Sequence, residues 1–136
     1  MPTNILIVED EFLIALEMEE VVRDLGHRSI GVADTMEAAL ALANAEVDVA
    51  LVDINLADGA TGPLIGARLV TDYDIDVVFV TANPAQLGEG IDGTLGAVEK
   101  PVDLSILKDV LDFVLAMKRG EDLPDPPKAL KLFGTA

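Results

Sequence analysis

A chain of 136 residues, 51% hydrophobic and only 4% aromatic, can bury one aliphatic core and leaves little room for a second domain. Its 25 acidic residues against 9 basic ones give a formal charge of −16, which argues against direct binding to nucleic acid or anionic membrane surfaces. With no cysteine, no charged-then-apolar stretch at Met1 to Asn4 and no apolar run near the ~18 residues of a membrane span, the expected setting is a soluble protein of the cytoplasm.

Strand-like and helix-like patterns alternate along the chain. Residues 4–8 form an apolar run that ends abruptly in Glu9, Asp10 and Glu11. Residues 12–25 carry Ile14, Met18, Val21, Val22 and Leu25 at helical spacing and stop at Gly26, a common helix terminator. Residues 29–33 read as the second strand, and Asp34 or Thr35 can cap an Ala-rich helix with Ala39, Leu40, Leu42 and Ala43 inward. A third strand at 49–52 ends in Asp53. A loop with turn glycines Gly59 and Gly62 follows, then a helix over 63–73 with Pro63 at its favoured first position.

Residues 77–81 give the fourth strand. Asn83-Pro84 can start a fourth helix, but Gly88, Gly90 and Gly93 make it short or mobile. Residues 95–98 form the fifth strand, and 103–118 the last helix. That helix has two apolar stripes: Leu104, Leu107, Leu111 and Val114 suit the core, while Ile106, Val110, Phe113 and Met117 lie on a neighbouring face. Two explanations for the second stripe stand level: Leu130, Leu132 and Phe133 fold back over it, or a partner or homodimer covers it.

Five strand–helix units in this order predict an α/β fold, a flavodoxin-like doubly wound parallel sheet of five strands in the order 2-1-3-4-5 with five helices. The domain is expected to span 1–119. Residues 120–136, with three prolines, read as a tail without an effector domain.

Open parallel sheets bind ligands at the carboxyl ends of their strands, beside the point where strand order reverses. Glu9 and Asp10 end the first strand there and Asp53 the third, while Thr81 ends the fourth and Lys100 follows the fifth. Three neighbouring carboxylates repel one another unless protons or a cation intervene, and a hard ion such as Mg2+ suits oxygen ligands and a substrate phosphate. A carboxylate can act as the nucleophile towards phosphorus, with Lys100 and the Thr81 hydroxyl neutralising the phosphoryl oxygens. Each residue alone has a bland alternative: solvated loop acids, a helix-capping threonine, a surface lysine.

The segments ILIVEDE, ALVDINL, VFVTA and VEKPVD, in this order, resemble the receiver domains of two-component response regulators, over roughly residues 3–118. The resemblance implies that Asp53 is the phosphoacceptor, served by a histidine kinase or histidine phosphotransfer protein. It implies a metal site for Mg2+ (or Mn2+) made by Asp10, Asp53, the backbone carbonyl of Asn55 and, through water, Glu9. Thr81 would sense the phosphoryl group, Ala82 would stay small to leave Asp53 reachable, and Lys100 would pair with the phosphate. The bond from Lys100 to Pro101 would be cis. Asn55 and Asn83 would border the route of the water that removes the phosphoryl group.

The sequence departs from the family pattern in three places. Ala97 replaces the aromatic residue that usually works with the threonine, Leu56-Ala57 stands where Met-Pro is frequent, and Val102 follows Pro101. These departures touch the output rather than the chemistry, and suggest that phosphorylation orders 83–96 instead of rotating one ring. The implied function is a single-domain receiver whose output is a contact with an unknown downstream protein or a phosphorelay, and not an enzyme beyond its own phosphoryl transfer and dephosphorylation. The rival is a pseudo-receiver that binds partners unphosphorylated. A phosphatase on the same sheet fits less well, because Asn55 sits where an extra acid/base would be wanted.

Overall fold

The computed structural model describes residues 3–123 and 125–133. Pro124 and residues 134–136 of the expected tail, like Met1 and Pro2, lie outside the described residues.

Strands β1 (Asn4–Val8), β2 (Arg28–Ala33), β3 (Val49–Val52), β4 (Asp76–Thr81) and β5 (Gly96–Glu99) are parallel and lie in the order β2-β1-β3-β4-β5. This is the predicted doubly wound sheet. Helices α1 (Phe12–Asp24), α2 (Met36–Leu42), α3 (Gly62–Tyr73) and α4 (Leu104–Lys118) cover it.

The counts differ from expectation in two places. In place of a fifth α-helix, residues Pro84–Leu87 form one 3-10 turn. Gly88, Gly90 and Gly93 all take positive φ immediately afterwards, so the backbone leaves the helical region as soon as it has entered it. The second difference is a sixth strand, β6 (Leu130–Leu132), which pairs antiparallel with β5 and closes the edge of the sheet. A three-residue strand gives too short an alternation to stand out from a polar, proline-containing stretch.

Alternation along the buried strands sends side chains to two cores. Ile5, Ile7, Val49, Leu51, Val78, Val80 and Val98 pack beneath α1 and α4. Leu6, Val8, Ala50, Val52, Val77, Phe79 and Ala97 pack on the other face beneath α2, α3 and the 3-10 turn. Thr35 caps α2 by accepting from the Ala38 amide at 3.2 Å, and Asp103 caps α4 by accepting from the Ser105 amide at 2.8 Å.

The apolar arc of α4 is resolved differently from either stripe alone. Val110 and Phe113 are buried along with Leu107, Leu111 and Val114, whereas Leu104 is 46% exposed at the first turn. Leu104 leaves the core stripe because the first turn of α4 borders an open cavity, which it lines with Ile14, Pro101 and Val102. From the tail, Leu130 joins the α4 core, Leu132 is exposed and Phe133 goes to the opposite face of the sheet. The tail thus reaches α4, where Asp125 and Pro127 border one depression with Asp109, Asp112 and Phe113, and then straddles the edge of the sheet. Leu111→Ala is expected to lower unfolding free energy by about 2–5 kcal/mol in urea denaturation, and Leu104→Ala by only about 0.5 kcal/mol.

Candidate functional site

Strand ends β1, β3, β4 and β5 meet at one edge and bring their terminal residues together. Lys100 Nζ donates to Asp53 Oδ2 at 2.8 Å and lies 2.6 Å from Glu9 Oε2. The Glu9 contact is poorly aligned for a hydrogen bond and is best described as an ion pair. The side chains of Glu9, Asp53 and Lys100 retain only 1%, 8% and 10% of their exposure. Asp10 is exposed beside them, and one carboxylate oxygen each from Glu9, Asp10 and Asp53 lie within 4.8 Å of one another. These three oxygens could hold a hard cation, since carboxylates at that spacing match the ligand preference of Mg2+.

Backbone interactions fix the carboxylates. The Asp53 amide donates to Val8 O at 2.9 Å, while Asp53 Oδ1 accepts from the Ile54 amide at 2.7 Å. Glu9 Oε1 accepts from the Glu11 amide at 3.1 Å. The Lys100 amide donates to Thr81 O at 2.8 Å, so β4 delivers the lysine as well as the threonine. The bond from Lys100 to Pro101 is cis.

Thr81 is fully buried, and its Oγ1 accepts from the Asn83 amide at 3.2 Å. That bond uses the oxygen as acceptor and leaves the hydroxyl proton for another partner. Ala82 lines an apolar cavity of about 320 Å³ beside the site, together with Ile14, Met18, Lys100, Pro101 and Val102.

Two residues matter here that the sequence did not single out for the site. Gly62, expected only as a turn residue, begins α3 against the back of the acidic loop, where a Cβ would collide with Asp53 O and Ile54 Cα. Gln86 Oε1 accepts from Asn55 Nδ2 at 3.1 Å and so ties the loop after Asp53 to the 3-10 turn. Neither follows from residue type or spacing, because both depend on which segments fold together. Asp58 braces the same loop by accepting from the Met36 amide at 3.0 Å and the Thr61 hydroxyl at 2.7 Å.

With the acids, the lysine and the threonine on one edge of a doubly wound sheet, family comparison is decisive. The sequence profile of the response regulator receiver domain matches residues 5–112. The chain belongs to the response regulator receiver family. Over 92 residues this receiver is 41% identical to the phyllosphere-induced regulator PhyR of Methylorubrum extorquens, a match covering 66% of this chain and 34% of that protein. It is 33% identical to the solution structure of the PhyR receiver (REC) domain of Erythrobacter litoralis, with a TM-score of 0.76, over 90% of this chain and 95% of that one. It is 30% identical to the crystal structure of the anti-anti-sigma factor PhyR from Bartonella quintana, with a TM-score of 0.72, over 88% of this chain and 50% of that one. The receiver thus spans about a third of the Methylorubrum protein and half of the Bartonella chain.

Burial raises the pKa of Glu9 above its ordinary value, and Asp53 adds to the rise, although Lys100 and the Glu11 amide oppose it. Burial works against the charge on Lys100 too, but its hydrogen bond to Asp53 and close contact with the Glu9 carboxylate outweigh it and leave that pKa above the usual lysine value. A raised carboxyl pKa means that charging Glu9 costs the folded state, so its contribution is most favourable at low pH and is lost as pH rises through the folded-state value. In chelator-treated protein, Glu9→Gln is therefore expected to equal the parent in stability below about pH 4 and to exceed it increasingly at higher pH. Thermal melts between pH 4 and 8 check this, and a variant less stable than the parent at neutral pH would contradict it.

Proposed function

We propose that this receiver takes a phosphoryl group on Asp53 from the phosphohistidine of a histidine kinase or histidine phosphotransfer protein. The observation that carries the proposal is the buried Asp53 carboxylate held by Lys100 inside a group of three acids. One Asp53 oxygen forms the new bond to phosphorus as the bond from phosphorus to the donor imidazole nitrogen breaks, and that nitrogen keeps the electron pair. Lys100 supplies positive charge beside the incoming oxygens, and the Thr81 hydroxyl has a proton free to donate to one of them.

Asp10, Asp53 and the Asn55 carbonyl would hold Mg2+ (or Mn2+), with Glu9 acting through water. The metal would neutralise charge on the phosphoryl oxygens. Ala82 keeps the approach open, and Asn83, at the start of the 3-10 turn, borders the path of a hydrolytic water.

Phe12 and Leu13 are each 72% exposed at the start of α1, just past Asp10 and Glu11, and Leu104 is 46% exposed at the start of α4. Apolar side chains ringing the acidic edge support docking of the donor's helices there. For output, kinship to an anti-anti-sigma factor supports a protein that regulates sigma factors as the downstream class, reached by contact. The net charge of −16 disfavours DNA as the target.

Incubation with phosphoramidate and Mg2+ is expected to add one phosphoryl group by intact mass, and Asp53→Asn to add none. An unmodified parent would instead favour the pseudo-receiver. Phe12→Glu is expected to slow transfer from a phosphorylated histidine protein by about tenfold or more while leaving phosphoramidate labelling unchanged. Equal slowing with both donors would place the effect in the chemistry and not in docking.

A further inference from the structure

Ala97 stands where the receiver pattern has a ring, and a ring from elsewhere in the chain joins the apolar cluster on its face of the sheet. Phe79, Ala97 and Lys131 lie in one row across β4, β5 and β6. Phe133, two residues beyond Lys131, points to the same face, and its ring centroid lies 6.3 Å from that of Phe79 with the planes inclined by 45°. Ala97 and Phe133 share one apolar cluster with Leu87 and Ile91. The main chain anchors the ring as well, since the Phe133 amide donates to Leu95 O at 3.0 Å.

Phe133 also touches the segment that follows Thr81. Gly90 has φ +117, and a Cβ there would run into the Phe133 ring, so the glycine allows the loop to close directly on the ring. A continuous set of contacts runs from the acidic site to the tail. Thr81 Oγ1 holds the Asn83 amide, Asn83 leads into the 3-10 turn, Gln86 of that turn accepts from Asn55, and Gly90 packs on Phe133.

We propose that β6 is a releasable strap, that Phe133 is a positioning residue supplying the ring that position 97 lacks, and that phosphorylation of Asp53 loosens the strap. The proposal rests on the phosphoacceptor reading above. A phosphoryl oxygen that accepts the Thr81 hydroxyl proton turns that hydroxyl toward Asp53, which lengthens its bond from the Asn83 amide, moves the turn and removes the support of Gly90 for the ring. The strap is suited to release. It pairs over three residues at a sheet edge, and the segment before it is largely exposed. Edge elements with few buried contacts open at low free-energy cost. Release bares the β5 edge and withdraws Leu130 and Phe133 from the rims of the two cores, while the five parallel strands stay paired.

Hydrogen exchange by mass spectrometry tests this on the full chain, alone and with Mg2+ and phosphoramidate, with intact mass reporting phosphoryl occupancy. In the phosphorylated chain, amides of residues 96–98 and 130–133 are expected to exchange about tenfold faster. In the unmodified chain, Phe133→Ala is expected to speed exchange across residues 83–95, and adding Ala97→Phe to that variant is expected to restore protection. A chain that gains the phosphoryl group with tail exchange unchanged overturns the strap, as does Phe133→Ala with residues 83–95 unaltered. Absence of any mass gain would instead remove the phosphoacceptor reading, and with it the release.

Discussion

The ammonium group of Lys100, held between Asp53 and Glu9 at the mouth of the sheet, is the constraint on which the site depends. Two nearly buried carboxylates beside an exposed third would repel one another strongly, and removal of the one cation they share would leave both uncompensated, a change that typically costs about 3–5 kcal/mol. The lysine joins the ends of β1, β3 and β5 through charge, while its amide is bonded to Thr81 at the end of β4. Four strand ends thereby acquire fixed relative positions, and an oxygen of Asp53 is presented with positive charge already beside it. The raised pKa of Glu9 marks what this arrangement costs the fold.

The architecture was largely legible because each strand is an uninterrupted apolar run and each helix carries a periodic face with clear ends. Val49–Val52, buried on both sides, could hardly be anything but a central strand of a parallel sheet. The acids, the threonine and the lysine were legible for a related reason: each directly follows such a run, and strand order puts those ends side by side. Gln86 and Gly62 were not legible as site residues. One acts through a hydrogen bond across 31 positions of sequence and the other through the absence of a side chain against a distant carbonyl. Patterns local to the sequence carry neither kind of information.

The tail shows how a short element escapes pattern reading and still reshapes a surface. Leu130 and Phe133 enter opposite cores because successive side chains of a strand alternate, and the tail can do this only by lying at the sheet edge. That placement covers unpaired backbone groups of β5, which would otherwise form an open edge. It also gives a physical setting to Ala97, whose small side chain looked like a simple loss when only the chain's order was visible.

The central claim is that Asp53, and no other of the many acids, is made a phosphorus acceptor by its neighbours. Borohydride reduction traps an acyl phosphate by converting the modified aspartate to homoserine, which peptide mass mapping can locate. After exposure to phosphoramidate, the account predicts conversion at residue 53 alone, present with Mg2+ and abolished by chelator. Conversion at Asp10 or another acid, or at Asp53 irrespective of metal, would contradict it.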